Sequence, residues 1–205
     1  DAVKYICDNA GSLNIDPERI GFYGTSAGAH LAACAAMKNE NAKVLIGYSG
    51  IYDLTTAAIT TRAKTDMRKA YFGQLDPKVL KNASPAYMIP TKKAIAAAKA
   101  LAEADYTVAT WARLLKAIET AEASLASGDA DVMDAATVAL NEAVAELISI
   151  AELNALIAEA EALVAGDYTN ASWSALAVAL RAAKAALVAT SQVTVDNAAA
   201  NLAAA

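Results

Sequence analysis

Between Thr91 and Ala205 the chain has no proline and only two glycines, Gly128 and Gly166, in a stretch dominated by alanine. Helix is the only regular structure such a run favours, because alanine loses no side-chain freedom in a helix. The run also repeats itself. Asp105-Tyr106-Thr107 leads to Trp111, and Asp167-Tyr168-Thr169 leads to Trp173, an offset of 62 residues. Ile95 and Ile157, Leu101 and Leu163, Leu114 and Leu176, Leu125 and Leu187, Asp134 and Asp196, and Leu140 and Leu202 keep the same register. A fixed period without gaps predicts a duplicated module, at residues 91–150 and 151–205.

Each copy reads as three helices. In the second copy, the first helix is expected over 152–165, ended by Gly166 in the left-handed conformation, and Thr169 is expected to cap the second helix. Trp173, Leu176, Ala177, Leu180 and Leu187 form one stripe, matched by Trp111, Leu114, Leu115, Ile118 and Leu125 in the first copy. Breaks at Ser127-Gly128-Asp129 and Thr190-Ser191 precede the third helices. A helix over 148–165 would continue directly from the first copy as a semi-rigid rod. The tryptophans read as core anchors and Tyr106 and Tyr168 as packing residues, with sugar stacking as the functional alternative for the tryptophans.

Residues 1–90 have a different character. They hold seven of the nine glycines and all four prolines. A helix is expected over 2–13, from the spacing of Val3, Ile6, Cys7, Ala10 and Leu13, then a turn at Asn14-Ile15-Asp16-Pro17. Arg19 to Tyr23 reads as a buried strand, 27–38 as a helix, and Lys43 to Ser49 as a second strand. Strand, helix and strand in that order imply two parallel strands with a right-handed crossover. Residues 62–72 are expected to be helical, and Asn82 to Tyr87 irregular. The opening in mid-pattern at Asp1 reads as a fragment.

Charge differs between the parts, +2 over residues 1–90 and −7 over 91–205. The acidic half argues against nucleic acid and anionic membranes as partners, and no apolar run is long enough to span a bilayer. With one histidine and no CxxC spacing, neither a metal site nor a cofactor is expected. Cys7 and Cys34 read as small buried hydrophobes.

Gly24-Thr25-Ser26-Ala27-Gly28 carries the chemistry. The G-x-S-x-G pattern after an apolar strand and before a helix is a nucleophile elbow. A sharp turn lifts the Ser26 hydroxyl clear of the sheet, and side chains at the flanking glycines would collide. The helix start aims N–H groups, that of Ala27 included, at the oxyanion of an acyl-transfer intermediate.

The stretch from Asp16-Pro17-Glu18-Arg19-Ile20 through Gly24-Thr25-Ser26-Ala27-Gly28-Ala29-His30, with Ser49-Gly50-Ile51-Tyr52-Asp53 and Asn82-Ala83-Ser84-Pro85, resembles hormone-sensitive-lipase-like carboxylesterases and their acetyl-xylan-esterase-like relatives. Ala29 replaces a glycine frequent in that group. The resemblance covers residues 1 to about 90 and implies an α/β-hydrolase fragment with Ser26 as nucleophile and Ala27 in the oxyanion hole. It also implies a triad acid and histidine in that chain order, and an oxyanion loop upstream of the serine. None of these three is recognisable here. His30 lies one helical turn behind Ser26, so it reads as a packing residue, and Asp53 reads as structural. The expected fold is thus an α/β-hydrolase fragment of two parallel strands with helices, followed by all-α tandem three-helix repeats.

The Asp-Tyr-Thr-x-x-(Ser/Thr)-Trp pattern and unit length of the second part resemble FIVAR repeats. That resemblance implies a spacer or binding module of secreted or wall-attached bacterial proteins, with a carbohydrate or cell-surface partner. Together the two resemblances imply an extracellular esterase acting on a small-molecule or polysaccharide-linked ester, silent in this chain alone for want of its base. A non-catalytic adhesion or spacer protein carrying a hydrolase remnant is the alternative.

Overall fold

The computed structural model describes residues 2–39, 41–55, 68–69, 73 and 76–205. The helix expected over 62–72 lies outside the described residues except for 68–69. By compactness the chain forms two units, Asp1–Ile95 with Thr120–Val138, and Ala96–Glu119 with Ala139–Ala205.

The first unit is built on two parallel strands, β1 (Ile20–Thr25) and β2 (Ala42–Tyr48), in the register Tyr23 to Ile46 and Gly24 to Gly47. Between them runs α3 (Ala27–Met37), packed on both strands. Its buried face consists of Ala29, Ala32, Ala33 and Ala36. Four methyl groups let the helix axis approach the sheet closely, but they bury little area each. On the opposite sheet face Tyr23, Val44, Ile46 and Tyr48 are all exposed, without cover among the described residues. The N-terminal helix is split into α1 (Ala2–Asp8) and α2 (Ala10–Leu13) at Asn9, whose side chain donates to the Tyr5 carbonyl. The i→i−4 bonds of Asn9 persist on both sides, Asn9 N–H to Tyr5 (3.1 Å) and Leu13 N–H to Asn9 (3.0 Å), while the Asn9 backbone leaves the helical region at φ −109° and ψ 15°, where apolar spacing predicts continuity.

After β2 come α4 (Pro77–Asn82), a 3-10 turn at Pro85–Met88, and α5 (Ile89–Lys99). Pro90 therefore sits in the first turn of a helix, where its missing N–H costs nothing. Two further helices contribute to this unit, the end of α6 (Val108–Ser127) and the start of α7 (Ala130–Ala145). Gly128, at φ 71°, makes the turn between them. Polar contacts tie this hairpin down. Lys81 Nζ donates to Asp131 and Asp134 (3.0 and 2.9 Å), Lys78 pairs with Asp129 (3.2 Å), and Asn82 Oδ1 accepts from the Ala130 N–H (2.9 Å). Lys92 Nζ donates to the carbonyls of Ala36 and Asn39 (2.6 and 2.9 Å), adding a charged donor to two carbonyls at the end of α3 that also accept weaker backbone bonds from Asn39 and Ala42.

The second unit has its core among α8 (Ala151–Glu161), α9 (Asn170–Ala186) and α10 (Gln192–Ala203), each packed on the other two. Leu153, Ile157, Ala183, Val195 and Leu202 are buried there, with Leu176, Leu180 and Leu187 against them. Thr169 caps α9 as expected, accepting from the Ser172 N–H (3.2 Å). Several expectations are corrected. Ala177 and Leu115 are exposed, because the buried stripe of α9 runs through Ala179 and Ala183 and that of α6 through Leu114 and Ile118. No helix spans 148–165: residues 147–150 lie outside any helix, Ser149 forms an isolated β-bridge, and α8 begins at Ala151. Gly166 is not left-handed; it lies in a 3-10 turn at Ala165–Asp167, beyond the end of α8.

Leu153→Ala is expected to cost about 2–5 kcal/mol in urea unfolding, the range for a fully buried leucine, against a few tenths for Val178→Ala on the exposed face. The lysine–aspartate contacts predict a pH signature. Hydrogen bonds from Lys78 and Lys81 hold the carboxyls of Asp129 and Asp131, respectively, below the ordinary range. A depressed carboxyl stabilises the fold above its unfolded value and loses that contribution as pH falls through its lower folded value. Asp131→Asn is therefore expected to unfold at lower urea than the parent at pH 6, with the difference closing as pH falls below about 3.8.

Candidate active site

β1 ends at Thr25 and α3 starts at Ala27, so Ser26 alone turns the chain. Its φ of 51° and ψ of −123° lie in a region that costs a side-chain-bearing residue about 1–3 kcal/mol. Neighbouring bonds hold it there. The Ser26 N–H donates to the Tyr48 carbonyl (2.8 Å), extending the β1–β2 ladder by one bond, and its carbonyl accepts from Ala29 and His30 (3.0 and 3.3 Å). The residue is exposed, and its hydroxyl caps nothing in the helix. Among the described residues the hydroxyl makes no local bond, and it stands at a helix start beside first-turn N–H groups, that of Ala27 included, that have no intrahelical acceptor.

The two glycines of the elbow differ. A Cβ on Gly24 would run into the Gly28 carbonyl and come within 2.7 Å of the Ala29 nitrogen, so only glycine lets the strand pass under the helix. A Cβ on Gly28 would meet nothing within 4 Å, so the collision expected at both flanks occurs at Gly24 alone. Ala29 is fully buried, and a Cβ on Gly50 would lie 2.7 Å from the Ala29 methyl and from the Tyr52 ring. The loop after β2 thus lies close against the first turn of α3.

The single histidine faces away from catalysis at Ser26. His30 Nδ1 is 2.5 Å from the Ile51 carbonyl, and its Nε2 lies 3.6 Å from Cys34 Sγ. Both ring nitrogens are thereby engaged between α3 and the loop after β2. Asp53 folds back locally, its Oδ1 accepting from the Thr55 N–H and hydroxyl (2.8 and 2.6 Å). Cys7 and Cys34 are half-buried, not fully buried as expected. Cys7 Sγ accepts from Asn41 (3.4 Å), and burial pushes the Cys34 thiol up. Sequence reasoning named Ser84 only within the Asn82-Ala83-Ser84-Pro85 stretch and gave it no role, yet it is fully buried and bridges two segments. Its Oγ accepts from the Leu54 N–H and donates to the Leu80 carbonyl, both at 2.7 Å. The Ser-Pro dipeptide marks a turn and says nothing of its partner.

Among the described residues no cluster of three or more His, Cys, Asp or Glu side chains is placed to hold a metal ion, and no helix is long and apolar enough to cross a membrane. The BD-FAE family model matches residues 1–110, more than half of the chain. The chain belongs to the BD-FAE family. BD-FAE domains are α/β-hydrolase-like esterase domains, so the two parallel strands, α3 and the Ser26 turn are parts of a hydrolase architecture. Over 55 residues the chain is 58% identical to an alpha-L-arabinofuranosidase of Bifidobacterium longum subsp. longum, covering 27% of this chain and 5% of that protein. Over 71 residues it is 39% identical to a probable isoprenylcysteine alpha-carbonyl methylesterase of Oryza sativa subsp. japonica, covering 35% and 14%. The matches thus span a small part of either curated relative. No solved structure matches the chain.

The BD-FAE elbow predicts opposite outcomes for its two glycines. Gly24→Ala is expected to destabilise by about 1–3 kcal/mol through overpacking. Gly28→Ala, inside the first turn of α3 with open space around it, is expected to be neutral or stabilising by up to about 1 kcal/mol. Urea denaturation of the two variants checks the contrast.

Proposed function

We propose that this chain carries the nucleophile of a serine carboxylic-ester hydrolase, with Ser26 attacking the acyl carbon and the Ala27 N–H stabilising the oxyanion. The observation that carries the reading is the backbone of Ser26, held at φ 51° and ψ −123° between β1 and α3, with its hydroxyl making no cap bond to the helix. Strain of that kind persists only where surrounding bonds over-determine it, and it concentrates at functional sites. In the reaction, the Ser26 oxygen bonds to the substrate carbonyl carbon as its proton passes to a base. The tetrahedral intermediate collapses, and the alcohol leaves with that proton. Water then repeats the sequence on the acyl-serine and releases the acid.

The base is not His30, because its ring is occupied by Ile51 and Cys34. It comes from another segment, as do the triad acid and the other oxyanion donor. Residues 1–205 alone are therefore catalytically silent. The substrate is an ester borne by a small molecule or a polysaccharide. A relative named for arabinofuranosidase activity and another named a methylesterase favour that range. The helical part, FIVAR-like in its Tyr–Trp pattern and period, spaces or tethers the enzyme outside the cell, at a surface or wall. It has a carbohydrate or cell-surface partner and no affinity for nucleic acid, in keeping with its acidic charge. The engaged histidine also favours a second reading, a non-catalytic adhesion or spacer protein with a hydrolase remnant.

Fluorophosphonate labelling separates the two. In the longest polypeptide that contains this chain, labelling and hydrolysis of an aryl acetate are expected, with Ser26→Ala lowering hydrolysis by about 1,000-fold or more and His30→Ala leaving the label in place. Hydrolysis unchanged in Ser26→Ala would overturn the first reading. An absence of any labelling or hydrolysis in that polypeptide would favour the second.

A further inference from the structure

The second unit contains two nearly identical turns, and only one of them is covered. At the first, a 3-10 turn over Glu103–Asp105 leads to Tyr106, stacked on Trp111 with ring centroids 6.0 Å apart. Residues 147–150, outside any helix, lie along it. The Thr107 N–H donates to the Ile148 carbonyl (3.0 Å), and the Ile150 N–H donates to the Asp105 carbonyl (2.7 Å). Tyr106 and Ser149 thus form an antiparallel bridge. Asn154 Nδ2 adds a bond to the Ala104 carbonyl (3.3 Å). The side chains of Ile148 and Ile150 are buried in the α8–α10 core, and the Gln192 amide holds the outer edge of Ser149 through its N–H and carbonyl (2.8 and 3.0 Å). Under this cover Trp111 is only 9% exposed.

The same construction recurs 62 residues later. A 3-10 turn over Ala165–Asp167 leads to Tyr168, stacked on Trp173 at 6.1 Å. Here no strand is laid across it. Among the described residues, nothing accepts from the Thr169 N–H and nothing donates to the Asp167 carbonyl, the counterparts of the two groups bonded in the first turn. Trp173 is half-buried, and Leu163, Val164 and Tyr168 are 40%, 63% and 45% exposed. An open backbone edge flanked by exposed apolar side chains is the arrangement that recognises an added strand.

We propose that the Val164–Thr169 turn is a docking site for the extended N-terminal segment of a further helical module of the same kind, an apolar-polar-apolar strand of Ile-Ser-Ile chemistry. The occupied turn supplies the template. The strand gives one carbonyl to Thr169, one N–H to Asp167, and keeps its own apolar side chains for the core of the module it introduces. A second copy of this chain does not fit the role, because its Ile148-Ser149-Ile150 is already buried and bonded within its own fold. Modules joined this way share a backbone bridge, so each new one protects the turn of the one before it.

The test extends the chain in register. Residues 144–205 are appended as a second copy directly after Ala205, which places the counterpart of Ile148 as far from Tyr168 as Ile148 is from Tyr106. Amide hydrogen exchange by NMR is then read at Thr169. The expected result is exchange slowed about tenfold or more relative to the unextended chain, with the protection lost when the appended counterpart of Ile150 is proline, which lacks the donor N–H. Unchanged exchange at Thr169 while the appended helices are themselves protected would overturn the proposal. So would protection of Thr169 in the unextended chain that grows with protein concentration, since a second copy would then be the occupant.

Discussion

The α/β part depends on one close approach, that of β1 to the first turn of α3. The strand reaches the helix only because Gly24 has no side chain, and Ser26 is driven to a positive φ by the sharpness of the turn that follows. The cost is local, and the bonds that offset it are local too: the Ser26 N–H to Tyr48, and its carbonyl to Ala29 and His30. The alanine face of α3 extends the same constraint along the helix, since larger residues would lift it from the sheet. A helix so placed gains little from burial, which makes the polar ties at both its ends more important. His30 anchors the first turns to Ile51, and Lys92 collects the carbonyls at the far end.

Those ties cross the boundary that composition suggests. Pro90 marks a change of sequence character, yet α4, α5 and the hairpin around Gly128 share one compact unit with the strands. Lys78, Lys81 and Asn82 reach the start of α7, and Thr91 meets Thr137 at 2.8 Å. The exposed ion pairs among these contribute little individually. Buried Met88 and Met133 and the fully buried Thr91 carry more, because packed volume is not screened by salt. The helical region is thus partly integrated with the BD-FAE segment.

The sheet is the opposite case. Tyr23, Val44, Ile46 and Tyr48 project from one face without cover among the described residues. Parallel strands in α/β proteins are ordinarily covered on both faces.

Local chemistry made much of this legible in advance. Apolar runs bounded by glycine and proline specify β1 and β2, the G-x-S-x-G spacing specifies the turn at Ser26, and a gapless offset of 62 specifies the recurrence of the Tyr–Trp turns, all of which depend on residues near in sequence. What the sequence left undecided depends on partners far away in the chain. Gly24 and Gly28 look equivalent in the motif, and only the path of the backbone over Gly24 separates them. Ile148-Ser149-Ile150 has the composition of a helix interior, but bonds to Asp105 and Thr107 draw it into a β-bridge. Ser84 and Lys92 look like surface residues until the segments around Leu54 and Ala36 are brought to them. Periodicity sets which elements form because it acts through neighbours, whereas the tertiary structure decides which backbone groups find partners, because that is settled only when distant segments meet.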